Sequence, residues 1–266
     1  RNNSGSNALL LAVDGGNPAE NSACVQVLLD AGSDPHETGP DGIVALHVSA
    51  QKGRTEVLWS LLQHGAHVDV ADVSGLTPLA YAVSNDHADA TGLLCDYGAD
   101  LDLADAAGRT ALHVASQDGK VNALGELLGR SVNVDAKDAR GETALHYAAY
   151  SGKVEAVRAL LETGADPSLQ NLRGDNAAHI ASRAGYIEVV RALVEYDVRI
   201  GQRNWQEYTP FGEARMNNHS QVAEFLSASF VRLAGKGPSL GGNNGASTTS
   251  AKLDDAQQQQ QGGYEA

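Results

Sequence analysis

A 33-residue period runs through most of this chain and constrains its fold more than any other feature. Glycines recur at that step, and leucines keep the same step at positions 46, 79, 112 and 145; the glycines are Gly42, Gly75, Gly108, Gly141 and Gly174. Further glycine series include Gly53 and Gly32. Such a period predicts a linear array, in which each unit buries its apolar face by stacking on its neighbours.

Each unit contains the signals of two short helices. Thr143 is a suitable N-cap for the first helix, because its hydroxyl can accept a bond from an unpaired backbone N–H. Gly152 is placed to end that helix in a left-handed conformation. Residues 154–161 carry apolar side chains at three- and four-residue spacing, which predicts a second amphipathic helix that ends at Gly164.

The six-residue segments that begin at Thr110 and Thr143, Thr-Ala-Leu-His-Val-Ala and Thr-Ala-Leu-His-Tyr-Ala, resemble the Thr-Pro-Leu-His-x-Ala signature of the ankyrin repeat family. The resemblance implies an all-α solenoid of stacked helix pairs with turn or hairpin tips, over about residues 1–230. We expect an enlarged loop within 14–22 between the first two helices. The expected units lie near 7–36, 39–71, 72–104, 105–137, 138–170, 171–203 and 204–230.

The composition changes after the last unit. Residues 231–266 are rich in Gly and Ser and include the run Gln257 to Gln261. Low-complexity sequence of this kind lacks the apolar side chains for a packed core. We therefore expect a disordered tail or a linker.

Charge and cysteine content limit the class of protein. The formal charge of -14 argues against nucleic acid as a partner, because a phosphate backbone attracts basic surfaces. No apolar run approaches the ~18 residues of a membrane span, so we expect no direct membrane insertion. The two cysteines argue against a disulfide scaffold and predict an intracellular, cytoplasmic protein, with the nucleus as the alternative.

Histidines and cysteines are given structural roles. Four histidines share one slot of the repeat, so they should lie about 10 Å apart, too far to share one zinc ion with bonds of ~2 Å; they are His47, His113, His146 and His179. We expect them to join neighbouring units by hydrogen bonds. Cys24 and Cys95 are expected to be buried. No catalytic, metal or cofactor motif is found, so the sequence predicts neither an enzyme nor a cofactor.

The resemblance implies a concave surface built from the tips and first helices. Large side chains gather in its last three units, and Trp, Tyr and Arg dominate protein interfaces. The predicted partner-binding residues are Tyr150, Leu172, Arg173, Arg183, Trp205, Tyr208 and Met216. The alternative is that the aromatic side chains only cover the final layer.

Acidic residues outnumber basic ones far more in residues 1–137 than in 138–230. We therefore expect a protein partner of basic or mixed charge; the oligomeric state is left open. The sequence favours a non-enzymatic interaction scaffold or adaptor. The alternative is the recognition segment of a larger enzyme or membrane protein, such as a kinase, ubiquitin ligase, acyltransferase or channel.

Overall fold

The computed structural model describes residues 7–15 and 17–235, which form fourteen α-helices, one short 3-10 helix at Pro40–Gly42 and no β-strand. The first helices of the seven pairs are α1 Ala8–Asp14, α3 Ala45–Gln51, α5 Pro78–Ser84, α7 Ala111–Asp118, α9 Ala144–Tyr150, α11 Ala177–Ala184 and α13 Pro210–Met216. The second helices are α2 Pro18–Asp30, α4 Thr55–Gln63, α6 Ala88–Asp96, α8 Val121–Leu128, α10 Val154–Glu162, α12 Ile187–Glu195 and α14 Ser220–Gly235. The prediction of an all-α array of helix pairs is confirmed.

Each first helix packs on the first helices of adjacent units, and each second helix packs on second helices. The repeated leucines Leu46, Leu79, Leu112 and Leu145 are at most 2% exposed. Burying one such side chain contributes about 2 kcal/mol. Alanines such as Ala115 and Ala148, with no exposed surface, allow the first helices to approach closely.

The predicted caps are present at the first helices. Thr77 accepts a hydrogen bond from the backbone N–H of Ala80, and Asn7 accepts one from Leu10. At the start of α9, Nδ1 of His146 accepts a hydrogen bond from the backbone N–H of Thr143 at 3.1 Å, and Gly152 follows this helix at a φ of 68°. These local bonds satisfy N–H groups that a helix start leaves unpaired, so the sequence sets where each first helix begins.

The four repeated histidines connect neighbouring units, as expected. In His146, Nδ1 accepts a bond from the backbone N–H of Thr143, and Nε2 therefore donates to the carbonyl of Asp175 at 3.0 Å. The other three make the same pair of contacts; they are His47, His113 and His179. Burial lowers the pKa of all four, that of His146 to about 4.

Two local predictions are wrong. The segment 14–22 is mostly helical, because α2 starts at Pro18, which can occupy a first helical turn without losing a donor.

Cys24 is exposed and Cys95 is only partly buried. The equivalents of Cys24, such as Val57 and Ala90, are packed between units, whereas no described unit precedes α2.

The last helix passes the predicted boundary at residue 230. Helix α14 continues to Gly235, because its sequence contains no Gly or Pro before that residue. The rest of the predicted tail, residues 236–266, lies outside the described residues.

Candidate protein-binding surface

The tips that connect successive units have a repeated geometry. In five tips the first residue is Asp or Asn, and its side-chain oxygen accepts backbone N–H groups two and four residues later; these are Asp72, Asp105, Asp138, Asn171 and Asn204. Neighbouring tips are also joined by their main chains, since Leu172 donates to the carbonyl of Arg140 at 3.0 Å and Trp205 donates to Arg173 at 3.1 Å. The tips and the first helices, together named the front face below, are therefore held in a fixed arrangement.

The large side chains predicted from the sequence lie on this front face. Tyr150, Leu172, Trp205 and Met216 are 63–71% exposed, and Tyr208 is 37% exposed. An added Cβ on Gly174 would approach the Trp205 ring to 2.8 Å. Trp205 thus covers the preceding tip while most of its surface stays in solvent.

A groove of about 790 Å³ contains four of the seven predicted residues. Tyr150, Leu172, Arg173 and Arg183 line it, together with Ile180. The groove also includes residues of the two preceding tips. Trp205, Tyr208 and Met216 do not line this groove.

Arg183 is not a free guanidinium. It donates to both carboxylate oxygens of Asp175 at 2.9 and 3.0 Å and to both of Glu213 at 2.9 and 2.7 Å. The two carboxylates have side chains only 1% and 5% exposed, and Asn204 donates to each at 2.8 Å. Burial alone would raise the pKa of Asp175, but the bonds from Arg183 and Asn204 hold it below its usual value.

Two other arginines at this surface are unpaired. Within residues 7–15 and 17–235, the guanidinium groups of Arg140 and Arg173 form no ion pair and no side-chain hydrogen bond, although both line the groove. Burial raises the pKa of the neighbouring Glu142, whose carboxylate accepts from Asn171 at 2.8 Å. The groove thus combines apolar surface with two arginines that have no close ion-pair partner in the described residues, although Arg173 also interacts electrostatically with Glu142.

Two residues of the surface, Arg140 and Trp59, are not among the seven predicted binding residues. Arg140 occupies the same repeat slot as Arg173 in the preceding unit, and this 33-residue step could have identified it. Trp59 is half exposed on the opposite side of the array. Its equivalents are Gln26, Gly92 and Arg158, and this absence of apolar residues marks the slot as a surface position.

The described helices include none that is both long enough and apolar enough to cross a membrane. Within the same residues, no group of three or more His, Cys, Asp or Glu side chains is arranged to hold a metal ion.

Solved structures resemble most of this chain. The human ASB11 ankyrin repeat domain superposes with a TM-score of 0.73 and 25% sequence identity, and covers 88% of this chain and 100% of its own. The ankyrin repeat domain of Bcl-3, described as a unique member of the IkappaB protein family, gives a TM-score of 0.74 and 27% identity over 84% of this chain and 99% of its own.

Curated relatives match shorter stretches. Potassium channel AKT3 of Oryza sativa subsp. japonica is 47% identical over 18% of this chain and 5% of its own length. Protein PhlB of Serratia liquefaciens is 48% identical over 22% of this chain and 26% of its own. The B-cell lymphoma 3 protein homolog of Mus musculus is 36% identical over 31% of this chain and 18% of its own length. The matches thus span at most about a quarter of these relatives.

The sequence pattern of the family described as ankyrin repeats (3 copies) matches residues 9–105, 93–171 and 163–233. These ranges cover most of the chain and the whole stack of helix pairs. The fold is one that serves protein–protein interaction, and the chain belongs to the ankyrin repeat family.

Proposed function

We propose that this chain is a non-enzymatic scaffold or adaptor that binds a protein segment across the front face of its last three units. The observation that carries the proposal is the exposure of Tyr150 and Leu172 in one groove, with Trp205 and Met216 exposed on the same front face. Aromatic and arginine side chains contribute most of the binding free energy in many protein interfaces. A surface that needs no reordering also loses little conformational entropy on binding.

The groove suggests a partner of mixed charge. An apolar side chain of the partner would lie against Leu172 and Tyr150, and a carboxylate would pair with Arg140 or Arg173, which form no ion pair within the described residues. The acidic residues 1–137 would attract basic groups elsewhere on the same partner. Nucleic acid and direct membrane insertion fit this acidic chain less well.

We place this activity inside the cell, in the cytoplasm or the nucleus. Cys24 and Cys95 are free thiols, which suits a reducing compartment. Imaging of the tagged protein in its source cells tests the compartment, and secretion would contradict it.

The binding site is tested with native partners. The intact chain is cross-linked to them in cell extract, and the cross-linked residues are identified by mass spectrometry. Replacement of Leu172 and Trp205 by Ala should reduce recovery of the partner at least tenfold. Val73 is the matched control, since it occupies the Leu172 slot of an early unit and is 75% exposed. Unchanged recovery by the folded double variant would reject the site.

A second candidate function is the recognition segment of a larger enzyme or membrane protein. The match to a short part of potassium channel AKT3 is the observation that favours it. The complete open reading frame distinguishes the two: catalytic motifs or long apolar segments outside residues 1–266 would support the second candidate.

A further inference from the structure

A second groove lies on the outer face of the array, between the second helices of its first four units. Its volume is about 940 Å³, and residues of α2, α4, α6 and α8 line it. The side chain of Trp59 belongs to its wall and is 50% exposed. None of the seven residues predicted on the front face lines this groove.

Small residues occupy the Trp59 repeat slot in the next two units and part of the groove lining. Gly92 occupies the same slot one unit later, and Gly125 occupies it two units later. Neither has a positive φ, so the backbone does not require glycine there, although glycine inside a helix lowers its stability relative to alanine. Ala23 and Ala88 also line the groove with small side chains. Gly92 itself is buried, because an added Cβ there would lie 3.1 Å from Oε2 of Glu126 and 3.6 Å from Nη2 of Arg130. The open apolar surface of the groove is therefore that of Trp59, half of which stays in solvent.

The groove is acidic. Its charged lining consists of four carboxylates and the Arg130 guanidinium. Arg130 is already bound to Glu126 at 2.8 Å, to Asp96 at 3.0 Å and to the carbonyl of Gly92 at 3.2 Å. Within the described part of the chain, Glu56 and Asp89 have no ion pair or hydrogen-bond partner for their carboxylates.

These two carboxylates are placed beside the tryptophan. Glu56 precedes Trp59 by three residues in α4, so both side chains share one helix face. Asp89 occupies the Glu56 slot one unit later. An aromatic surface next to unpaired negative charge attracts a cation both through the ring and through the carboxylates.

We propose that this outer-face groove binds a basic protein segment. A Lys or Arg side chain of the segment lies over the Trp59 indole, Glu56 and Asp89 balance its charge, and an adjacent apolar side chain packs against the exposed edge of the same ring. The same segment would be repelled on the front face, where Arg140 and Arg173 are unpaired. The array would then hold two segments of different charge on opposite faces.

The probe is a display library of random short peptides. Peptides that bind the intact chain carrying Trp205→Phe are retained from it. This variant keeps Trp59 as the only tryptophan, because the chain contains two. Retained peptides should be enriched in Lys or Arg next to apolar residues, and titration with the synthesised peptides should shift the Trp59 fluorescence. Their counterparts with Glu in place of Lys and Arg should bind at least about tenfold more weakly.

Variants locate the binding site. Trp59→Ala should weaken binding of the selected peptides about tenfold or more, as measured by calorimetry in the otherwise unchanged chain. The double variant Glu56→Gln, Asp89→Asn should weaken binding by a similar factor at low salt and less at high salt. The double variant Glu155→Gln, Glu188→Gln removes two carboxylates from the same helical slot outside the groove, and should bind like the original chain.

Three results would overturn the proposal. The first is the absence of Lys or Arg enrichment among those peptides that shift the Trp59 fluorescence. The second is unchanged affinity in both the Trp59 variant and the Glu56, Asp89 double variant, with unchanged circular dichroism. The third is a dimer of the chain that Trp59→Ala dissociates, which would assign the groove to a second copy.

Discussion

Arg183 of α11 and Glu213 of α13 form a two-point ion pair, with Nη2–Oε1 at 2.7 Å and Nε–Oε2 at 2.9 Å. The same guanidinium holds Asp175, so one arginine pairs with two carboxylates beneath the front face. The ion pair joins the first helices of the last two units, and Arg183 therefore stabilises the array at the place where a partner is proposed to bind.

Arg183→Ala should destabilise the last two units by about 2–3 kcal/mol. It leaves two buried carboxylates without a cation, and the cost is below that of a fully buried pair because about a third of the Arg183 side chain is exposed. Urea unfolding followed by circular dichroism measures the change. Arg158→Ala is the control, since its ion pair with Glu195 is exposed. Equal effects of the two variants would contradict a stabilising role for the network.

Stability should fall between pH 7 and pH 5 because of the repeated histidines. Burial lowers their pKa below the ordinary 6.5, so the unfolded chain binds more protons in this range and gains relative stability as the pH falls. The contribution of the neutral histidines to the stability of the folded state is complete above pH 6.5 and is lost progressively as the pH falls below that value. For His146, with a folded pKa of about 4, the loss at pH 5 is about 2 kcal/mol.

The measurement is urea unfolding of the chain and of His146→Gln at both pH values. The comparison cancels the contribution of the carboxylates, which titrate in both proteins. The variant should be less stable at pH 7 and should lose less stability on acidification. Parallel pH profiles for the two proteins would show that His146 does not contribute.

Gly108→Ala should destabilise more than Gly65→Ala. Both glycines have a φ near 80°, so alanine is strained by about 1–2 kcal/mol at either position. At Gly108, however, the new Cβ would approach the backbone nitrogen of Ala139 in the next tip to 2.8 Å, whereas at Gly65 nothing lies within 4 Å. Thermal unfolding compares the two, and equal midpoints would argue against close stacking of the tips.

Removing two buried hydroxyl groups should stabilise the array. The Oγ atoms of Ser116 and Ser182 are buried without a hydrogen-bond partner in the described part of the chain, in the slot that Ala149 occupies one unit away from each. Replacing either serine with alanine should raise the free energy of unfolding by about 1 kcal/mol. In the control Ser49→Ala, the lost hydroxyl donates to the carbonyl of Leu46 at 3.0 Å, so that variant should not gain stability.

Local signals made most of the fold predictable. Thr143 and His146 are three residues apart, and Gly152 ends their helix, so these contacts need no knowledge of distant residues. Cys24 shows where this reasoning stops. Its slot is buried in inner units because helices pack on both sides, and the slot becomes exposed where the described stack begins.

The candidate sites were only partly predictable. The sequence placed Tyr150 in the first helix of one unit and Leu172 in the tip of the next, and both prove to be exposed and to line one groove. The pairing of Arg183 was not predictable, because Asp175 lies in the tip of its own unit and Glu213 in the next unit, and an arginine at a surface slot can equally extend into solvent. Trp59 was not predicted, because its repeat slot holds Gln26, Gly92 and Arg158 in other units and so shows no recurring aromatic residue.

The sequence alone determined the 33-residue unit, the helix starts and ends, and the contacts of the repeated histidines, because these depend on residue types at fixed short spacing. Only the tertiary structure decided which charges remain available: Arg183 is bound internally, whereas Arg140, Arg173, Glu56 and Asp89 form no ion pair with any residue that the structure describes. The physical reason is that an ion pair depends on distances of a few ångströms between side chains of different units, which stacking sets and a repeat period does not.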